Sequence, residues 1–198
     1  MNTVPQTGPG RPRSEEAEKA ILDATLQLLA DKGYNGLTVD KVAALASVSK
    51  STMYRRWPSK LHLVIAAFSQ LPQLPSTNTG NLLQDLVNIL ESFLNIAENT
   101  PLAGVLATLA GEQARNHELS EYLLPLIDAR RKPVRDILQN AMQRHELPED
   151  LDLELAVDMV MGPAIMRMLF TRAPLQGRPV QQMLEITLRG LGWLLPEG

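Results

Sequence analysis

Lys50, Ser51, Thr52, Tyr54, Arg55 and Arg56 fall within two helical turns of one another. They offer ammonium, guanidinium, aliphatic hydroxyl and phenol groups, and no carboxylate lies among them. Every one of these groups donates hydrogen bonds. On a helix, Met53 and Trp57 share one face at a four-residue step. Ser51 and Arg55 share the opposite face, flanked by Thr52 and Tyr54. An apolar back with a front of donors and cations suits a helix that lies in a DNA groove.

The flanking residues say how such a helix is held. Thr38 can cap a preceding helix, because its hydroxyl can accept an orphan backbone N–H. Val39, Val42, Ala43 and Ala46 follow at three- and four-residue spacing, an apolar stripe. Ser47, Val48 and Ser49 break that pattern, and Ser49 is placed to cap the next helix. Pro58 is placed to open the helix after it, with Lys60 near that N-terminus to attract a phosphate. Pattern alone fits equally a helical hairpin with a solvated charged face.

The stretch TVDKVAALASVSKSTMYRRWPSK, Thr38 to Lys60, resembles the helix-turn-helix signature of the TetR family of bacterial transcriptional regulators. VSKSTMYRRWPSK is similar to that family's recognition helix and the start of its fourth helix nearly position by position. Two departures stand out. Ser47 occupies the turn position where the family usually has glycine, and Leu61–His62 replaces a frequent acidic residue. Neither touches the expected DNA face. The resemblance implies a homodimer on a palindromic double-stranded DNA operator, usually a repressor released by a small molecule. It makes Lys50, Ser51 and Arg55 the base-facing candidates. Tyr54, Thr38, Ser49 and Lys60, with Thr52 and Arg56 as further candidates, would hold phosphates. Met53 and Trp57 are expected in the core.

The chain has 198 residues, room for one large or two small domains. Its composition is that of a soluble globular protein. The absence of cysteine excludes disulfides, thiolate metal sites and cysteine catalysis. No apolar run approaches the ~20 residues of a membrane span, and no signal-peptide core is present. A cytoplasmic protein without membrane contact is expected. Charge is uneven along the chain. Met1 to Phe68 carries nine Lys/Arg against six Asp/Glu, a net +3; Ser69 to Gly198 carries ten against sixteen, a net −6. A basic first third on an acidic remainder suggests that only the first part meets a polyanion.

Read in order, residues 1–10 form a Pro/Gly/Thr-rich tail expected to be disordered. Arg11 and Arg13 are either part of an ordinary flexible terminus or a basic arm that reaches a minor groove. Ser14 can cap a first helix whose stripe runs through Ile21, Ala24, Thr25 and Leu28, and Gly33 ends it. The headpiece is expected over 11–57, a connecting helix over 58–70, and a Pro/Ser/Thr/Asn loop at Leu71 to Gly80 marks the boundary. Residues 81–198 read as further helices: Asn81 to Asn99, Leu102 to Arg115, Glu118 to His145, Asp152 to about Thr171, and Pro179 to near Leu195. Pro125 and Pro133 are expected to break or kink the third of these, and Gly162–Pro163 to disturb the fourth. No strand-like alternation of useful length occurs. The fold expected is all-α, about nine helices, with a three-helix headpiece and a helical dimerisation and ligand-binding domain.

The last two helices are apolar over too much of their circumference for a surface position. One stripe is Leu153, Ala156, Val157, Val160 and Ala164; another is Leu155, Met159, Ile165, Met166 and Leu169. A helix apolar on several sides needs cover on several sides, and the resemblance implies that a second copy supplies it. The methionines of this half suit either a core or a pocket for varied apolar or amphipathic ligands. Phe93, Met142, Asp158, Met159, Met166 and Arg167 are the ligand-binding candidates. For Asp158 and Arg167 a structural pair, dimer contacts and ligand contacts are all open. His62, His117 and His145 are scattered without metal-site spacing, and neither a phosphate loop nor a nucleophile elbow occurs. No catalytic residue, metal or cofactor is expected. Alternatives are an activator, an effector-free regulator, and a helical interaction module or enzyme.

Overall fold

The structure is a computed structural model and describes residues 12–173, 175 and 177–193. Among these there are nine α-helices and one π-helical turn, and no strand. The expected tail, Arg11, Pro174 and Leu195 lie outside the described residues. The chain forms two compact units, Met1–Gln70 and Leu71–Gly198.

The first unit contains α1 (Pro12–Gly36), α2 (Val39–Leu45), α3 (Lys50–Tyr54) and α4 (Lys60–Gln70). Helix α1 begins at Pro12, so Ser14 lies inside it and does not cap it, and the backbone of Arg13 is helical. Proline suits a first helical position, since its φ is preset and its missing N–H would be unpaired there anyway. Gly33 leaves the helical conformation at φ 71° and ψ 175°, as expected of a glycine that ends a helix. The apolar face of α1, with Ile21, Leu22, Ala24, Leu26 and Leu29, is buried. Thr25 is fully buried beside them, and its hydroxyl donates to the Ile21 carbonyl at 2.7 Å. This face packs on α2 and α4. Helix α4 starts at Lys60, two residues after Pro58; the Ser59 hydroxyl accepts from the His62 N–H at 3.4 Å and closes the start. Its Val64, Ala67 and Phe68 are fully buried, so α4 packs as part of the first unit.

The second unit is built around α5 (Leu82–Asn99), which packs against α6 (Leu102–Gln113), α7 (His117–Gln143), α8 (Leu153–Met166) and α9 (Arg178–Gly190). Leu86, Ile89 and Leu90 of α5 are fully buried. Asn81, Asn116 and Asp152 cap α5, α7 and α8 through side chains that accept the N–H three residues on. Asp85 is almost fully buried, and both its oxygens accept from the Thr79 N–H at 3.0 Å, pinning the loop to the start of α5. Arg130 of α7 pins the beginning of that loop. Its guanidinium donates to the Leu71 and Pro72 carbonyls, each at 2.9 Å, and burial lowers its pKa from the usual arginine value.

Three expectations change here. Helix α7 runs through Pro125 and Pro133 without a break. Leu119, Leu123, Val134, Ile137 and Leu138 bury its inner face. Its outer face is tied to α8 by charge: Arg131 meets Asp158 at 2.5 Å, and Arg135 meets Glu154 at 2.5 Å and also Asp128. That packing offsets the one lost backbone bond per proline. Second, α8 continues through Pro163, and the irregularity lies one turn later, a π-helical turn over Arg167–Thr171 closed by the Arg172 N–H on the Arg167 carbonyl at 2.7 Å. Third, α9 ends at Gly190, short of Leu195, because Gly192 turns the chain at φ 81°. It is also one-sided. Val180, Leu184 and Leu188 are buried, Gln181, Gln182 and Arg189 are exposed, and Ile186 is its large exposed apolar residue.

Candidate nucleic-acid interface

Helix α3 is only five residues long, too short to hold itself. Its placement comes from both ends and its back. Ser49 caps it, accepting from the Thr52 N–H at 3.3 Å, and Thr38 caps α2 in the same way with the Lys41 N–H at 3.3 Å. Between the two helices Ser47 adopts φ 55°, the left-handed conformation that reverses the chain. Met53 is buried at 1% exposure and forms the back of the helix. Trp57, expected in the core with it, is half-buried, since it lies beyond the end of α3 where the chain is already turning away.

This scaffold brings Thr38, Ser49, Lys50, Ser51, Tyr54 and Arg55 out to solvent, with Thr52 half-buried beside them. The hydroxyls form a cluster. Ser49 Oγ lies 2.9 Å from Ser51 Oγ and 2.9 Å from Thr52 Oγ1, so their orientation is set mutually. Tyr54 is 53% exposed, which places its phenol at the surface.

The three remaining cations differ. Arg56 is half-buried and forms an ion pair with Glu18, tying the end of α3 to α1. Lys60 points inward. Its ammonium donates to the Tyr34 carbonyl at 3.0 Å and stands 4.1 Å from the centre of the Tyr34 ring, a cation–π contact. Lys50 is exposed and meets Asp40 at 2.6 Å; the hydrogen bond its ammonium donates to that carboxylate raises its pKa. Neither Asp40 nor Glu18 stood out in the sequence. Both pairings depend on how helices cross, which no local pattern encodes.

In the second unit the six ligand-binding candidates do not converge. Phe93 is buried on α5 and Met142 is half-buried on α7. Asp158, Met159, Met166 and Arg167 are exposed on the outer side of α8 and its π-helical extension. Asp158 pairs with Arg131 and not with Arg167. No group of acids and histidines that could hold a metal ion occurs among the described residues.

Residues 21–67 match the model of bacterial regulatory proteins of the tetR family, and residues 76–187 match the tetracyclin repressor-like C-terminal domain. The chain belongs to the TetR family. It is 34% identical over 192 residues to the uncharacterised HTH-type transcriptional regulator YdeS of Bacillus subtilis, a match that spans 94% of this chain and 95% of YdeS. It is 32% identical over 155 residues to the DNA-binding transcriptional repressor TetR of Mycobacteroides abscessus, spanning 74% and 79%. Among solved structures, the TetR family transcription regulator SCO0332 superposes with a TM-score of 0.64 at 27% identity, over 91% of this chain and all of that one. The fold is also shared with FadR of Bacillus subtilis, solved with stearoyl-CoA, at a TM-score of 0.63 and 20% identity over 87% and 96%. As a TetR-family member the chain is a DNA-binding transcriptional regulator, and the matched residues 21–67 contain α2 and α3.

Ser47 carries a testable cost. A left-handed conformation disfavours any residue with a Cβ. Ser47→Gly should stabilise the first unit by about 1 kcal/mol, less what glycine loses by loosening the unfolded chain. Urea denaturation followed by circular dichroism measures it, and an unchanged or lowered midpoint would show that the turn carries no strain.

Proposed function

We propose that this chain is a repressor that binds a palindromic operator as a homodimer and leaves it when a small molecule binds the second unit. The observation that carries the DNA part is the capped α3, with Met53 buried behind it and Lys50, Ser51, Tyr54 and Arg55 exposed in front. Lys50, Ser51 and Arg55 face base edges. Tyr54, Thr38, Ser49 and Thr52 hold phosphates, and Arg11 and Arg13 serve in this reading as a basic arm to the minor groove. Arg56 and Lys60 complete the set from positions where they also brace the headpiece. The regulator works in the cytoplasm; no helix among the described residues is long and apolar enough to cross a membrane.

A library of random duplexes selected against the full chain should yield a palindrome. On it, Arg55→Ala should relax preference at one position by about 1–3 kcal/mol, the range of a good bidentate base contact. Tyr54→Phe should weaken binding to all sequences alike. Wild-type affinity and preference for Arg55→Ala would remove that residue from the interface.

The dimer reading rests on α8. Its inner stripe, Ala156, Val157, Val160 and Ala164, is buried within the chain, whereas Leu155, Met159 and Met166 of the outer stripe are 56%, 48% and 52% exposed. Phe170 and Ile186 add exposed apolar surface, at 74% and 67%. A second copy related by a two-fold axis would cover these residues. Sedimentation at micromolar concentration should show a dimer, and Leu155→Asp with Met159→Asp should give monomers. A wild-type monomer would end this reading.

The repressor reading is supported by the repressor named in the TetR relative, and the effector reading by the stearoyl-CoA bound to FadR on the same fold. The effector is apolar or amphipathic and binds among α5, α6, α7 and α8, with Phe93 and Met142 the inward-facing candidates. It must favour the DNA-free state over the bound one, since equal affinity shifts nothing. Long-chain acyl thioesters and other amphipaths should raise the melting temperature and release the selected operator. A compound set that does neither would leave a regulator controlled by its own abundance.

A further inference from the structure

Lys50 and Asp40 form an ion pair at 2.6 Å with both side chains more than half exposed. An exposed pair of this kind adds little to stability, and α2 and α3 are already in contact, with Val42, Ala43 and Met53 buried. The pair also contrasts with Arg56 and Glu18, where the guanidinium is largely covered and links α3 to α1. Asp40 therefore places a carboxylate beside the one lysine of the DNA-facing helix, on a surface otherwise made of donors.

We infer that Asp40 is a specificity-determining residue, whose carboxylate occupies Lys50 on non-cognate DNA and is exchanged for a base acceptor on the operator. This rests on the DNA-binding reading above. Binding to arbitrary sequence comes almost entirely from phosphate neutralisation by lysine and arginine. A lysine held by a neighbouring carboxylate contributes little to that. On the operator, a guanine O6 and N7 in reach of the ammonium offer acceptors that arbitrary sequence does not present in register. Lys50 then changes partner only where the sequence is right. The pair suppresses weak binding everywhere and leaves tight binding at the cognate site, which widens the ratio between them. Ratio, not affinity alone, decides occupancy against a genome of competing sites.

The test uses the full chain, a random-sequence duplex of about three helical turns, and the palindrome selected by the wild-type protein. Fluorescence anisotropy is read over a salt series. Asp40→Asn should tighten binding to the random duplex by about fivefold at 0.1 M salt, and steepen the slope of log affinity on log salt by about 0.9 per headpiece. Binding to the palindrome should change less, so the ratio falls. In a Lys50→Gln background, Asp40→Asn should have no such effect on the random duplex. A folded Asp40→Asn protein with unchanged random-duplex affinity and slope would overturn the inference. So would an equal gain in the Lys50→Gln background, because Asp40 would then act on DNA without Lys50. If the wild-type chain selects no sequence at all, the DNA-binding reading itself falls, and this inference with it.

Discussion

The exposed polar face of α3 depends on Met53. A five-residue helix makes too few backbone bonds to persist alone, so something outside it must fix where its side chains point. Met53 does so from behind, at 1% exposure, while the Ser49 cap holds the front end. Once that thioether is seated, Ser51 and Arg55 must face away from it, and the hydroxyl cluster of Ser49, Ser51 and Thr52 follows from the same rotation. The first unit is thus a device for orienting a short helix. Its larger helices α1 and α4 supply the buried area that so short an element cannot supply for itself.

The second unit solves a different problem. Helix α5 is packed by four others, and the polar groups near it are used to anchor backbone. Asp85 holds one end of the 71–80 loop and Arg130 holds the other. A loop rich in proline, serine and threonine is thereby fixed at both ends by buried or half-buried charges. The first residues of the second unit are thus held on α7.

What could be read from the amino acids follows the range of the interaction. Thr38, Ser49 and Asp152 were legible as caps because a cap concerns a side chain and an N–H three residues on. The helical pattern was legible for the same reason, and so were the two stripes of α8, of which the structure buries one and exposes the other. The continuity of α7 through Pro125 and Pro133 was not, since it depends on the cover provided by other helices. The same holds for Asp158, which pairs with Arg131 across a helix interface and not with Arg167. On α3, which residues are exposed and which is buried was legible. The partners of Lys50, Arg56 and Lys60 were not, because they lie on α2, α1 and the turn after Gly33. In the second unit, apolar character marked candidate ligand residues, yet character cannot tell an inner face from an outer one.

The Arg130 anchor has a consequence for how such chains can be recombined. Its two acceptors are the carbonyls of Leu71 and Pro72, which are backbone atoms that any residue at those positions would supply. The grip therefore does not read the identity of what precedes it. A splice made after Gln70 would leave the whole anchor, both carbonyls and the guanidinium, on one side of the junction. The second unit could then be joined to a different first unit without rebuilding that contact, because everything the anchor needs travels with the second unit.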